Sequence, residues 1–177
     1  MNIILVLDKS GSMQSMGSEP VESVNNFIRK QQAEEGASAN ITLYTFSNEI
    51  NCVFKNVPLS ECKEFKDYDP SGCTALYDAI NQAIDSVENK ENPTVMVIVT
   101  DGQDNSSKMS AVKIKERMNE LREKQGWKIL FLAKGEDAFA EQEKLGVSGV
   151  GFQERGGLES AMCFVSSTVS SFRANTK

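Results

Sequence analysis

Unbroken runs of apolar, largely β-branched residues constrain the fold of this chain more than any other feature. The clearest runs cover residues 3–7, 94–100 and 127–133. They lack the alternation of apolar and polar residues that a strand with one wet face requires. They are therefore typical of parallel strands that helices cover on both faces. We predict that these runs form the central strands of a parallel sheet.

Three further segments predict the outer strands. Residues 41–46 alternate between apolar and polar side chains, and residues 50–54 continue this alternation after a short polar turn. The pattern favours a hairpin whose second strand is antiparallel and lies at an edge of the sheet. A shorter and weaker run covers residues 147–152. The expected total is six strands, one of them antiparallel.

Amphipathic patterns with helical spacing lie between most of these strands. Apolar residues recur every three or four positions near residues 21–28, 76–87, 111–121 and 158–172. Strands that alternate with helices predict an α/β fold with a doubly wound, mostly parallel sheet and helices on both faces. At about 100–200 residues per domain, we expect residues 1–177 to form a single domain.

Composition excludes several classes of function. The chain contains no histidine, which rules out Ser-His-Asp and Cys-His nucleophiles, a histidine general base and histidine-ligated zinc. The formal net charge is −6, whereas a nucleic-acid-binding protein needs a sustained basic surface. The densest basic segment, residues 108–128, is interleaved with glutamates. We therefore expect no nucleic-acid partner.

The termini and cysteines indicate the compartment. The first apolar run is too short for a signal peptide or a membrane span. The four cysteines do not have the spacing of a metal site and are typical of reduced thiols. We expect a cytoplasmic protein that does not contact a membrane and is a monomer by itself.

Polar loops follow the two best central strands and precede one of the helices. Asp8, Ser10 and Ser12 come directly after the first strand, and Asp101 comes directly after residues 94–100. Thr74 precedes the helix near residues 76–87. Ligand sites in such sheets lie beyond the carboxyl ends of the strands, so these side chains are expected to converge at one edge.

The chemistry of these side chains points to a divalent cation. Carboxylate and hydroxyl oxygens are hard ligands that suit Mg²⁺ or Mn²⁺ better than zinc, and they also admit Ca²⁺. Asp8 and Asp101 together neutralise one dication, and the three hydroxyls add neutral oxygens. An ion held in this way can accept one more anionic oxygen, such as a carboxylate of a protein partner.

The same residues resemble the metal-ion-dependent adhesion site of the von Willebrand factor A domain family. The motif has three pieces, which are Asp8-x-Ser10-x-Ser12, Thr74 within Gly-x-Thr-x-Leu, and Thr100-Asp101-Gly102. The resemblance covers essentially the whole chain, because the order of the predicted strands and helices also matches. One departure is Cys73, where many relatives have glycine or another small residue.

The resemblance implies both a fold and a function. It implies the doubly wound sheet with one antiparallel edge strand. It also implies that Ser10, Ser12 and Thr74 contact the metal, that Asp8 and Asp101 act through water, and that a partner's Asp or Glu completes the coordination. A metal-dependent protein-binding module without catalytic activity follows. Intracellular relatives act with chaperone-like ATPases and other complexes, so an adaptor or a complex subunit is expected.

Two other interpretations remain open at this point. The first is a magnesium-dependent phosphoryl hydrolase that resembles haloacid-dehalogenase phosphatases, with Asp8 as the nucleophile and Asp101 and Asp104 as a later acidic pair. That chemistry uses a second aspartate at the position of Ser10, and a serine does not act as an acid and base at neutral pH. The second is a purely structural module, because Asp, Ser and Thr are also common in turns and helix N-caps. For Asp104 and Asn105 we expect a role in capping a helix that begins near Ser106.

Overall fold

A computed structural model describes residues 1–152 and 156–175 of the chain. The described residues form one sheet of six strands. These strands are β1 (Asn2–Asp8), β2 (Asn40–Phe46), β3 (Ile50–Pro58), β4 (Thr94–Thr100), β5 (Lys128–Lys134) and β6 (Ser148–Phe152). Their order across the sheet is β3-β2-β1-β4-β5-β6. Only the β2–β3 pair is antiparallel within this sheet. The predicted α/β architecture with its antiparallel edge strand is confirmed.

Helices cover both faces of the sheet. They are α1 (Glu19–Ala33), α2 (Leu76–Asp85), α3 (Ala111–Gln125), α4 (Gly135–Leu145) and α5 (Gly157–Asn175), together with two short 3₁₀ helices at Gly11–Met16 and Leu59–Glu61. Apolar residues of α1 and α5 form the core on one face. Those of α2, α3 and α4 form the core on the other face.

The two cores explain why the central runs are continuous. Successive residues of a strand point to opposite faces. In β1, Ile3, Leu5 and Leu7 pack with α1 and α5, whereas Ile4 and Val6 pack with the helices on the other side. Every residue of β4 is buried. The apolar runs are therefore the consequence of a sheet that is buried on both sides.

Two features differ from the expectations. Helix α4 had no counterpart in the predicted pattern. Helix α3 begins at Ala111 and is capped by the Ser110 hydroxyl, which accepts a hydrogen bond from the Lys113 N–H. A helix starting near Ser106 was therefore a wrong expectation. Within the described residues, no helix combines the length and apolar character needed to cross a membrane.

Candidate metal centre

The site lies where the sheet reverses its direction of winding. Strand β1 is the centre of this reversal, because it pairs with β2 on one side and β4 on the other. Leu7 of β1 is paired with Val99 of β4. The residues that directly follow these two positions therefore emerge side by side at the carboxyl edge. This is the edge at which doubly wound sheets bind ligands.

Hydrogen bonds join four of the five predicted ligands directly. The Ser10 N–H donates to Asp8 Oδ1 at 2.7 Å. The Ser10 and Ser12 hydroxyl oxygens are 3.2 Å apart, and the Ser12 hydroxyl donates to Asp101 Oδ1 at 2.6 Å. A continuous series of hydrogen bonds thus runs from the end of β1 to the end of β4. Ser10 is buried, whereas Ser12 is exposed at the surface.

Asp8 is the buried end of this series. Its side chain is 0% exposed, and its Oδ2 accepts a hydrogen bond of 2.6 Å from the Thr100 hydroxyl. Burial raises the pKa of Asp8 to about 6, although hydrogen bonds from Thr100 and Ser10 act in the opposite direction. The Tyr68 hydroxyl donates to the Asp8 backbone oxygen at 2.7 Å. A nearby cation would stabilise a carboxylate in such surroundings.

Thr74 joins the cluster through its backbone. Its N–H donates to Asn105 Oδ1 at 2.8 Å, and the Asn105 N–H donates to the Thr74 oxygen at 3.0 Å. The loop before Thr74 is tied to the loop after β1 by a hydrogen bond of 3.0 Å from the Gly11 N–H to the Gly72 oxygen. Thr74 is 4% exposed. The three predicted loops therefore meet at one place.

Sequence reasoning missed or misplaced several residues of this centre. Asn105 does not cap α3 but holds Thr74, and Asp104 caps α2 instead. Its two carboxylate oxygens accept hydrogen bonds from the Tyr77 N–H and the Ser107 N–H. The role of Tyr68 also had no signal in the sequence, because its contact joins residues that are 60 positions apart.

A comparison with known protein families shows to which family the chain belongs. The profile of the von Willebrand factor type A domain matches residues 2–171. The chain belongs to this family. No protein of curated function matches the chain.

Solved structures with the type A fold are similar to this chain at low sequence identity. Proximal thread matrix protein 1 from the mussel byssus, with a zinc-occupied MIDAS motif, has a TM-score of 0.74 at 18% identity and aligns 96% of this chain with 45% of its own. The pilus adhesin SpaC from Lactobacillus rhamnosus GG, in an open conformation, has a TM-score of 0.75 at 14% identity and aligns 98% with 30%. BatB from Bacteroides thetaiotaomicron has a TM-score of 0.64 at 14% identity and aligns 97% with 98%. At these identities the likeness shows the fold alone. The chain spans less than half the length of the mussel protein and of the adhesin.

The spacing of the two serine hydroxyls suits neighbouring ligands of a divalent cation. Ligands on neighbouring corners of a magnesium octahedron are about 3.0 Å apart, given metal–oxygen distances of about 2.1 Å. The separation of 3.2 Å between the Ser10 and Ser12 hydroxyl oxygens is close to this value. The described residues contain no group of three or more His, Cys, Asp or Glu side chains placed to hold a metal. The candidate centre is thus a mixed set of hydroxyls and two carboxylates.

Replacing Gly72 with alanine tests how strictly the loops of this type A domain must be arranged. Gly72 has a φ of +79°, and an added Cβ would overlap Asn48 Oδ1. That oxygen is already fixed, because it accepts a hydrogen bond of 2.6 Å from the Cys73 N–H. We expect Gly72→Ala to lower the free energy of unfolding by about 2 kcal/mol, measured by urea denaturation.

Gly102→Ala is the matched control at the same edge of the sheet. An added Cβ there has no described atom within 4 Å. We expect this variant to unfold at nearly the same urea concentration as the wild type. Equal stability of the two variants would contradict the argument that the Gly72 backbone is needed to join the loops.

Proposed function

We propose that this type A domain is a divalent-metal-dependent protein-binding module whose ion coordinates an Asp or Glu carboxylate of a partner. Members of the family are generally non-catalytic binding modules. The observation that carries the proposal is the series of hydrogen bonds that joins Asp8, Ser10, Ser12 and Asp101 at one edge of the sheet. It begins at a buried carboxylate and ends at the surface, so an ion held there is accessible from outside.

The proposed ligands are Asp8, Ser10, Ser12, Thr74 and Asp101, and the proposed ion is Mg²⁺, with Mn²⁺ and Ca²⁺ as other hard cations of the same chemistry. An all-oxygen donor set favours these ions. The zinc in the mussel protein shows that a MIDAS motif also accepts a softer ion in that protein. Two carboxylates balance the charge of one dication. A partner carboxylate would then be the only anionic ligand added from outside.

The arrangement of the loops favours binding over phosphoryl transfer. In the hydrolase alternative, Asp104 would belong to the acidic pair of the active site. Instead, one of its carboxylate oxygens accepts a hydrogen bond from the Tyr77 N–H in the first turn of α2. The other accepts a hydrogen bond from the Ser107 N–H in the loop before α3. Ser10, at the position where that chemistry uses an aspartate, is a buried neutral hydroxyl beside Ser12. Neither residue is placed to act as a general acid or base.

The partner and the compartment are also part of the proposal. A domain of this kind would act in the cytoplasm as an adaptor or as a subunit of a larger assembly, of which a chaperone-like ATPase is one candidate. The acidic net charge supports a protein partner over nucleic acid.

Binding of Mn²⁺, followed by electron paramagnetic resonance of the free ion, tests the metal site. We expect wild-type protein to bind Mn²⁺ and Mg²⁺ to compete with it. We expect Asp101→Ala and Ser12→Ala to weaken binding by at least about tenfold, since each removes an oxygen of the cluster. Asp69→Ala is the matched control, because Asp69 is an exposed carboxylate on the loop before Thr74, and it should bind Mn²⁺ like the wild type.

Affinity capture tests the binding of a protein partner. Immobilised wild-type protein should retain a partner in Mg²⁺ buffer and release it in EDTA, whereas immobilised Asp101→Ala should not retain it. Equal retention by both proteins, or retention that EDTA does not reverse, would remove the metal from the mechanism.

A further inference from the structure

A buried arginine connects the carboxyl ends of α1 and α5. Arg173 of α5 is 6% exposed. Its Nε donates a hydrogen bond of 3.2 Å to the Ala37 backbone oxygen, and its Nη1 donates to the backbone oxygen and the Oε1 of Gln31 at 2.6 Å and 3.0 Å. These bonds use three of the five N–H groups of a guanidinium. The two N–H groups of Nη2 therefore have no acceptor among the residues that the structure describes.

The positive charge of Arg173 also lacks a full counter-charge. Among the described residues, no ion pair includes this side chain. The carboxyl end of α1 offsets the charge only in part, because a helix dipole supplies about half an elementary charge. Burial lowers the pKa of the Met1 amino group, and the charge of Arg173 lowers it further. A buried charge without a partner is unfavourable, so this position favours a bound anion.

A cavity of about 210 Å³ lies beside Arg173, near the amino end of β2. It is open to solvent, since Ser38, Pro58 and Ser60 in its lining are exposed. No acidic side chain is among the described residues that line it. The Nη2 atom is not one of the fully buried atoms that lack a hydrogen-bond partner, so it borders open space. The open space beside this side chain is the cavity, which can therefore admit an anion to the two free N–H groups.

The donors that remain at this cavity favour a tetrahedral oxyanion over a carboxylate. A carboxylate binds arginine best through two parallel N–H groups on different nitrogens, and the Nε and Nη1 of Arg173 already donate to Ala37 and Gln31. Ser38 and Ser60 also line the cavity, and no hydrogen bond within the described part of the chain holds either hydroxyl. A phosphate group accepts hydrogen bonds from several directions, so it can combine the Nη2 donors with hydroxyls at the rim.

We propose that this cavity binds a phosphate group, either as inorganic phosphate or as part of a small phosphate ester. The Nη2 of Arg173 donates hydrogen bonds to the phosphate oxygens, and Ser38 and Ser60 hold the phosphate at the exposed rim. The phosphate supplies the counter-charge that the described residues do not. The cavity lies near the amino end of β2, whereas the candidate metal centre lies at the carboxyl edge of the sheet. The phosphate site is therefore independent of the proposed metal centre.

Titration of the full chain with inorganic phosphate, followed by NMR of the Arg173 Nε–H group and by calorimetry, tests the proposal. The buffer contains EDTA, so that phosphate does not bind through a metal ion, and chloride keeps the ionic strength constant. We expect a saturable shift of the Nε–H signal and at least about tenfold weaker binding of acetate. Glycerol phosphate is the second probe, and the tighter of the two phosphates identifies the free ion or the ester as the preferred ligand. No saturable shift with either phosphate, or equal binding of acetate, would overturn the proposal.

Ser60→Asp separates anion binding from the structural role of Arg173, whose own replacement would also release the end of α1. A carboxylate at this exposed position of the rim should weaken phosphate binding by at least about tenfold, because it repels the phosphate. It should also raise the melting temperature of the phosphate-free protein, because it supplies the counter-charge to Arg173. Ser167→Asp is the matched control, since it adds the same charge at an exposed serine of α5 outside the cavity lining, and it should bind phosphate like the wild type. Equal phosphate affinity of the two variants would contradict the proposal.

Discussion

Asp8→Asn is expected to stabilise the metal-free protein and to abolish its stabilisation by Mg²⁺. The Asp8 carboxylate is fully buried, and burial raises its pKa from 3.8 to about 6. At about 1.4 kcal/mol per pKa unit, the charged form costs on the order of 2 to 3 kcal/mol near neutral pH. An asparagine removes this charge. Its amide oxygen can still accept from the Ser10 N–H.

The remaining hydrogen bonds of this site also tolerate asparagine. The amide nitrogen would donate to Thr100 Oγ1, which now donates to Asp8. The Thr100 hydroxyl has a second acceptor available, the Gly102 oxygen at 3.3 Å. We therefore expect urea unfolding in EDTA at about pH 7.5 to require a higher denaturant concentration for Asp8→Asn than for the wild type.

The pH dependence of the stability difference between Asp8→Asn and the wild type provides an internal control. The folded state binds the Asp8 proton more tightly than the unfolded chain, so the metal-free wild type loses stability as pH rises from about 4 to about 6. The advantage of Asp8→Asn should therefore disappear as pH falls to about 4. Saturating Mg²⁺ should raise the melting temperature of the wild type, because it binds the folded state, and it should leave that of Asp8→Asn unchanged. A less stable Asp8→Asn protein in EDTA would contradict the argument.

The sheet and the meeting of the candidate ligands at its carboxyl edge could be predicted because both follow from local patterns. A continuous apolar run indicates a strand that is buried on both faces, as β4 is at every position. Parallel strands place their following residues at the same edge, so Asp8 and Asp101 had to lie near one another once β1 and β4 were neighbours. The hydrogen bonds among Asp8, Ser10, Ser12 and Asp101 then follow from short loops at that edge.

The supporting residues of the centre could not be predicted, because their contacts depend on the assembled fold. Asn105 follows a strand and precedes α3, and such residues usually cap helices. Its amide instead holds Thr74, 31 positions away. Tyr68 lies in a loop without regular structure, and only the folded chain brings its hydroxyl to the Asp8 backbone. The spacing of these residues in the sequence does not indicate either contact.

Helix α4 was missed because a charged residue occupies the middle of its buried face. The three buried residues of α4 are Ala138, Glu141 and Leu145. With Glu141 in place of an apolar residue, only two of these positions contribute to an apolar pattern, which is too few to indicate an amphipathic helix. Glu141 is nevertheless 0% exposed. Its carboxylate accepts hydrogen bonds from the Tyr77 hydroxyl and from the Lys144 ammonium, the latter at 2.5 Å.

Glu141→Ala is expected to cause a large loss of stability, because the Glu141 carboxylate is buried and hydrogen-bonded. It leaves the Tyr77 hydroxyl without its acceptor, and burial together with the Glu141 hydrogen bond raises the pKa of Tyr77, so this hydroxyl stays protonated and in need of a partner. We expect the free energy of unfolding in urea to fall by about 3 kcal/mol, from the lost hydrogen bond and the cavity that remains. Glu141→Gln keeps an acceptor for Tyr77 and should cost only about 1 kcal/mol.

Lys144→Met is the control, since the Lys144 side chain is 48% exposed and its ion pair should contribute less than about 1 kcal/mol. If Glu141→Ala costs no more than Lys144→Met, the buried carboxylate does not anchor α4 to α2.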